Sequence, residues 1–119
     1  MKKTLIIGAS TNPERYAYLA AQRLVEHGHP ICLLSIKAGE LFGEKIYTEK
    51  IHFSDIDTVT LYISAKNQKE YYEYILSLQP KRVIFNPGTE NEEFILLLES
   101  KQIVAEVACT LVLLSTNAY

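Results

Sequence analysis

The sequence predicts one doubly wound α/β domain built on a mostly parallel, five-stranded, Rossmann-like sheet. Short unbroken apolar runs at Leu5-Ile6-Ile7 and Ile31-Cys32-Leu33-Leu34 suit strands buried on both faces, and Thr58–Ile63 and Arg82–Phe85 read as further strands. Between them stand stretches with apolar residues at helical spacing, and that alternation requires parallel pairing through right-handed crossovers. The 119 residues, 48% of them hydrophobic and 22% charged, can bury roughly two-thirds of their unfolded surface around a single core. No repeat, linker or composition shift divides the chain, so residues 1–119 read as one domain.

The first strand, Leu5–Ile7, is ended by Gly8. Asn12 then offers a helix cap, Pro13 suits the first helical position, and Ala17, Ala20, Ala21, Leu24 and Val25 recur at helical spacing until Gly28. Ile31–Leu34 is the second strand, followed by Ser35-Ile36-Lys37 in place of a turn glycine. Residues 38–57 carry Gly39 and Gly43 without a long amphipathic pattern, so at most a helical turn is expected there. Thr58–Ile63, rich in β-branched residues, is the third strand. Asn67, with Glu70 three positions on, predicts the start of a helix whose apolar stripe is Tyr71, Tyr74, Ile75 and Leu78, closed by Pro80. Arg82–Phe85 is the fourth strand, Asn86-Pro87-Gly88 a turn, and Glu92–Ser100 a helix with Phe94, Ile95, Leu97 and Leu98. Ile103–Ala105 reads as a fifth strand, and Leu111–Leu114 as part of a short C-terminal helix packing back on the core.

Composition excludes several classes of function. Twelve Lys and Arg against fourteen Asp and Glu give a formal charge of −2, with no basic block to hold a nucleic acid backbone. Tyr71, Tyr72 and Tyr74 lie on a helix face with no basic groove beside them, so they are not a base-stacking platform. Cys32 and Cys109 form no disulfide framework, and no metal-ligand spacing joins them to His27, His29 or His52, which fits a reduced cytosol. The apolar run after Met1-Lys2-Lys3 stops at Gly8, too short for a signal segment or a membrane helix, so the mature protein is expected to start at Met1.

In a doubly wound sheet, ligands bind beyond the carboxyl ends of the strands, where the strand order reverses. That rule selects the loops at Gly8–Asn12, Ser35–Lys37, Tyr62–Lys66 and Asn86–Glu90. In the first loop, Gly8 permits a tight turn, Ala9 a close approach, and the hydroxyls of Ser10 and Thr11 can donate to a phosphate at the amino end of the following helix. Capping of that helix is the competing role for Ser10, Thr11 and Asn12. A dinucleotide fingerprint would need glycines where Ser10 and Pro13 stand, and an acid after the second strand where the chain has Ser35, Ile36 and Lys37. Lys37 has instead the sign that suits a phosphorylated ribose, as in NADP or coenzyme A; a solvated strand-end lysine is the alternative.

These residues resemble the small bacterial coenzyme-A-binding proteins, whose fold matches the nucleotide-binding domain of succinyl-CoA synthetase. The resemblance rests on Gly8-Ala9-Ser10 with Arg15 downstream, Leu24 and Gly28 at the end of the first helix, and Lys37 after the second strand. Gly43 before Ile46-Tyr47, Asp57 before the third strand, Asn86-Pro87-Gly88 and Ala108-Cys109 complete the pattern. The chain departs from it at Ser35-Ile36, where the family often has Asn-Pro, and at Gln102, where it often has Gly. The resemblance implies coenzyme A or a similar nucleotide with its pyrophosphate at Gly8, Ala9 and Ser10 and its ribose phosphate near Lys37, with Arg15 either helping the phosphates or facing solvent. It implies that Tyr62, Ile63, Ser64 and Ala65 border the adenine or pantetheine, core packing being the other role open to Tyr62, and that Asn86, Pro87 and Gly88 form another wall.

No paired base and nucleophile is legible. His27 and His29 flank the exit of the first helix, at the end of the sheet away from the crevice, and His52 has no identifiable partner. Cys109, at the amino end of a helix, is either an activated thiol or, more commonly, an inert buried one. The expected role is thus a binding or regulatory module rather than a free-standing enzyme. An NAD(P)-binding oxidoreductase fragment is one alternative. A ligand-free interaction module is another, with the apolar segment Val107–Leu114 joining a partner or a twin subunit in a homo-oligomer.

Overall fold

A computed structural model describes the whole chain, Met1–Tyr119. Seven strands form one sheet: β1 (Thr4–Ile7), β2 (Ile31–Leu34), β3 (Gly39–Leu41), β4 (Glu44–Tyr47), β5 (Thr58–Leu61), β6 (Arg82–Phe85) and β7 (Val104–Val107). Their order is β3-β4-β2-β1-β5-β6-β7, and every pairing is parallel except β3 with β4. The helices are α1 (Tyr16–Glu26), α2 (Ala65–Gln68), α3 (Tyr72–Leu78), α4 (Glu92–Ser100) and α5 (Thr110–Ser115), with a 3-10 turn at Lys69–Tyr71 between α2 and α3.

The period of two along each strand sends successive side chains to opposite faces, and each face has its own core. Leu5, Ile7, Val59, Leu61, Val83 and Phe85 pack with Ile75, Leu78, Phe94 and Leu98 from α3 and α4. Ile6, Ile31, Leu33 and Ile46 pack on the other face with Ala17, Ala21 and Leu24 of α1 and Leu114 of α5. The small side chains of Ala17 and Ala21 are what let α1 lie close to the sheet. The C-terminal segment expected to pack back on the core does so through Thr110 and Leu114, while Val107 and Val112 stay exposed.

The doubly wound α/β class is as the sequence predicts, but the sheet has seven strands rather than five. Both additional strands lie in residues 38–57, where the sequence predicts a helical turn at most. Their apolar content is confined to Leu41 and Ile46, set among the exposed Glu40, Glu44 and Lys45, and strands of three and four residues leave too short a stretch for periodicity to register. Phe42 and Gly43 both have positive φ, 50° and 83°, the backbone of a two-residue type I′ hairpin turn.

Several boundaries also shift. Helix α1 begins at Tyr16 with Arg15 as its cap, not at Asn12-Pro13, because the Asn12 side chain accepts from the Glu14 N–H at 3.0 Å and its carbonyl from the Arg15 N–H at 3.0 Å, closing a separate turn first. Ser64, not Asn67, caps α2, and Asn67 lies inside the helix, donating its amide to Ser64 Oγ. Strand β5 ends at Leu61, leaving Tyr62 and Ile63 in the loop, and β7 runs two residues past the predicted strand end at Ala105. Asn91 caps α4 by accepting from the Phe94 N–H at 3.1 Å, with Glu92 and Glu93 favourably placed in the positive first turn.

Candidate functional site

A cleft of about 520 Å³ opens at the carboxyl ends of the central strands and runs over the first turn of α1, within the size range of small-molecule sites. Of the residues expected at a site, Gly8, Ala9, Ser10, Thr11, Arg15, Ser35, Ile36, Lys37 and Tyr62 line it together. Asn12 of the selected first loop lines it too, and the fold adds Tyr16, Ala17, Ala38 and Ile46. Tyr16 and Ala17 come in because α1 starts late; Ala38 and Ile46 come in with the unpredicted hairpin.

Ile63, Ser64, Ala65, Asn86, Pro87 and Gly88 do not line this cleft. Ile63 packs against the α3–α4 core, and Ser64 caps α2. Asn86 is 2% exposed and bonded inward: its Nδ2 donates to Thr60 Oγ1 at 2.7 Å and to the Leu61 carbonyl at 2.9 Å, while its Oδ1 accepts from the Thr110 N–H at 2.9 Å. That carboxamide ties β5, β6 and α5 together. Pro87 and Gly88 are exposed, and the Gly88 N–H is held by the Glu90 carboxylate at 2.9 Å.

Gly8 is required by both backbone and space. Its φ is +96°, and a Cβ there would stand 2.8 Å from the Tyr62 carbonyl oxygen and 3.0 Å from Ile63 Cγ2. The N–H groups of Gly8 and Ala9 both donate to the Leu34 carbonyl, at 2.9 and 3.2 Å, so neither is free for a ligand. The Asn12 N–H donates to Ser10 Oγ at 3.1 Å, and Pro13 has none. By contrast the N–H groups of Ser10, Thr11, Tyr16 and Ala17 have no partner in the chain, the last two because they open a helix. Four donors between the strand end and the helix start therefore have no partner within the chain.

Electrostatics point the same way. Arg15 and Lys37 enter none of the chain's ion pairs, which join Arg23 to Glu26, Lys50 to Glu70 and Arg82 to Glu106, and no carboxylate lines the cleft. Two unpaired cations beside a helix amino end form a local positive field on a chain whose formal charge is −2. Tyr62 borders the cleft, but its hydroxyl is buried without a hydrogen-bond partner. Burial first, and the neighbouring Cys109 second, raise the Tyr62 pKa far above the usual phenol value, so it stays neutral. Cys109 is half-buried at the cap of α5. His27 and His52 are exposed, and His29 sits at the amino end of the sheet, its Nδ1 accepting the Lys2 N–H at 2.9 Å. No group of three or more His, Cys, Asp or Glu is placed to hold a metal ion, and no helix is long and apolar enough to cross a membrane.

The sequence model of the CoA binding domain family matches residues 2–115. The chain belongs to this family. Among solved structures, one described as that of an uncharacterized protein is 53% identical with a TM-score of 0.98, covering 100% of this chain and 98% of the other. A hypothetical protein from Pyrococcus horikoshii is 31% identical with a TM-score of 0.83, over 93% of this CoA binding domain and 80% of that chain. A Thermus thermophilus protein shares the fold at 21% identity, with a TM-score of 0.87 over 99% of this chain and 90% of its own. None of the curated proteins compared with the chain matches it.

Proposed function

We propose that the protein binds coenzyme A or an acyl-CoA in the cleft above β1, as a binding or regulatory module. The observation that carries this reading is the set of four unpartnered N–H groups, at Ser10, Thr11, Tyr16 and Ala17, flanked by the unpaired cations Arg15 and Lys37 where no carboxylate opposes an anion. Such a donor set fits the phosphates of the ligand, and membership of the CoA binding domain family supplies the ligand class. Lys37, at the end of the β2 loop, suits the ribose phosphate. The exposed faces of Ile36 and Tyr16, 92% and 71% accessible, offer apolar surface for the adenine at the mouth of the cleft.

Titration calorimetry with coenzyme A, dephospho-coenzyme A, NAD and NADP tests the proposal. Coenzyme A is expected to bind most tightly and NAD most weakly, because Ser35-Ile36-Lys37 provides no acid for a ribose diol. In Lys37→Ala the affinity for coenzyme A is expected to fall about tenfold, with dephospho-coenzyme A little changed, a difference of about 1.4 kcal/mol. Failure to bind coenzyme A, or equal affinity for NAD, would overturn the reading.

A further inference from the structure

Gly39 opens β3, at the foot of the hairpin that forms one side of the cleft. Its φ is not positive, so the backbone there is one that other residues adopt. Space is the constraint instead. A Cβ at Gly39 would lie 3.2 Å from Thr11 Cγ2 and 3.5 Å from Ile46 Cδ1, and the first is closer than the optimum of about 3.5–4.0 Å for two carbons. One side of that contact must yield.

The hairpin is the fixed side. Leu41 and Ile46 are 6% and 1% exposed, β4 is paired to β2, and the Phe42 ring packs on Tyr18 of α1 with centroids 5.2 Å apart. Thr11 is the yielding side, since it is exposed and its N–H is unpartnered. We infer that Gly39 is a positioning residue for the anion loop: by lacking a side chain it lets the β3–β4 hairpin seat against Thr11, and the hairpin thereby sets where the Thr11 N–H and hydroxyl stand. This rests on the reading of that loop as the coenzyme A phosphate site.

A double-mutant cycle separates positioning from mere packing. Gly39→Ala pushes Thr11 by a few tenths of an ångström, and the affinity for coenzyme A is expected to fall about three- to tenfold, the loss of part of one charge-assisted hydrogen bond. The melting temperature is expected to stay the same or rise, because Ala is less costly than Gly in a strand. Thr11→Ser removes the methyl that Gly39 accommodates while keeping the hydroxyl and the N–H. Whatever Thr11→Ser does by itself, adding Gly39→Ala to it is expected to change the affinity less than about twofold. Amide chemical shifts of the Ser10 and Thr11 positions in the ligand-free protein provide a second readout: they should move when Gly39→Ala is made alone and hold still when it is added to Thr11→Ser. Equal losses of affinity in both backgrounds, or unmoved shifts in Gly39→Ala, would overturn the inference. If the unmodified protein does not bind coenzyme A, the proposed function fails, and the amide shifts alone then decide the role of Gly39.

Discussion

Asn86 has the chemistry of a ligand-binding residue at a strand end, yet its three side-chain hydrogen bonds all point inward, so Asn86→Leu is expected to act on stability rather than on affinity. The replacement is similar in volume but leaves the Thr110 N–H, at the first turn of α5, without an acceptor and takes a donor from the Leu61 carbonyl. Thr60 Oγ1 loses one bond and keeps another, to Thr110 Oγ1 at 2.9 Å. Each buried polar group stranded in this way costs about 1–3 kcal/mol, so the loss is expected to be about 3–5 kcal/mol, a large part of the roughly 5–15 kcal/mol that holds a domain folded. Urea denaturation followed by circular dichroism reads this directly: at a slope of about 2 kcal/mol per molar, a loss of about 4 kcal/mol moves the midpoint down by about 2 M. The surviving folded fraction should bind coenzyme A with nearly native affinity. A native urea midpoint together with lost binding would refute the reasoning and make Asn86 a ligand contact.

Gly8→Ala should lower stability by about 2–4 kcal/mol, from a side chain forced into positive φ and a Cβ driven against the Tyr62 carbonyl, and should weaken coenzyme A binding by shifting Tyr62; a melting temperature within about 2 °C of the unmodified protein with unchanged affinity would count against it. The contributions of His29 and Tyr74 to stability should both be complete between about pH 6.5 and 10, one being lost below that range and the other above it. On the acid side, burial first and then the surrounding Met1 amine, His27, Lys2 and Arg82 lower the His29 pKa below 6.5, so the unfolded chain takes up the proton first and stability is lost as pH falls below that value. On the alkaline side, burial pushes the Tyr74 hydroxyl, which donates to the Ile51 carbonyl at 2.7 Å, up to about 12 from 10, so its contribution is complete below pH 10 and lost as pH rises toward 12. Urea midpoints across this range in His29→Asn and Tyr74→Phe should show a shallower acid and alkaline limb respectively; limbs unchanged by either substitution would contradict the assignment.

The parts of the fold legible in the sequence are those whose signal is local. Leu5–Ile7, Ile31–Leu34 and Arg82–Phe85 build the middle of the sheet with cores on both faces, so the run of apolar residues is itself the evidence for a central parallel strand. The hairpin is illegible because Leu41 and Ile46 reach the core from strands only three and four residues long, and because Phe42 supplies a positive φ that Asn or Gly usually marks. The cleft is legible as far as strand ends define it. Asn86 reads as part of its wall because a polar residue at a strand end looks the same whether it faces a ligand or braces a neighbouring helix, and only the positions of Thr60, Leu61 and Thr110, 24 to 26 residues away, distinguish the two.

Which atoms of the first loop are free to bind is a question of hydrogen-bond accounting, and here the difference between sequence and structure has a functional consequence. Gly8 and Ala9 have the small size expected of phosphate donors, but that size serves the close approach of β2, whose Leu34 carbonyl takes both of their N–H groups. The free donors begin one residue later, at Ser10 and Thr11. The turn closed by Asn12 then delays α1 to Tyr16, so the helix's own open N–H groups, at Tyr16 and Ala17, form a second pair separated from the first by Asn12–Arg15. On the proposed reading the two linked phosphates of coenzyme A take one pair of donors each, with Arg15 between the pairs, so free inorganic phosphate, which can engage only one pair at a time, is expected to compete weakly in the same calorimetric titration.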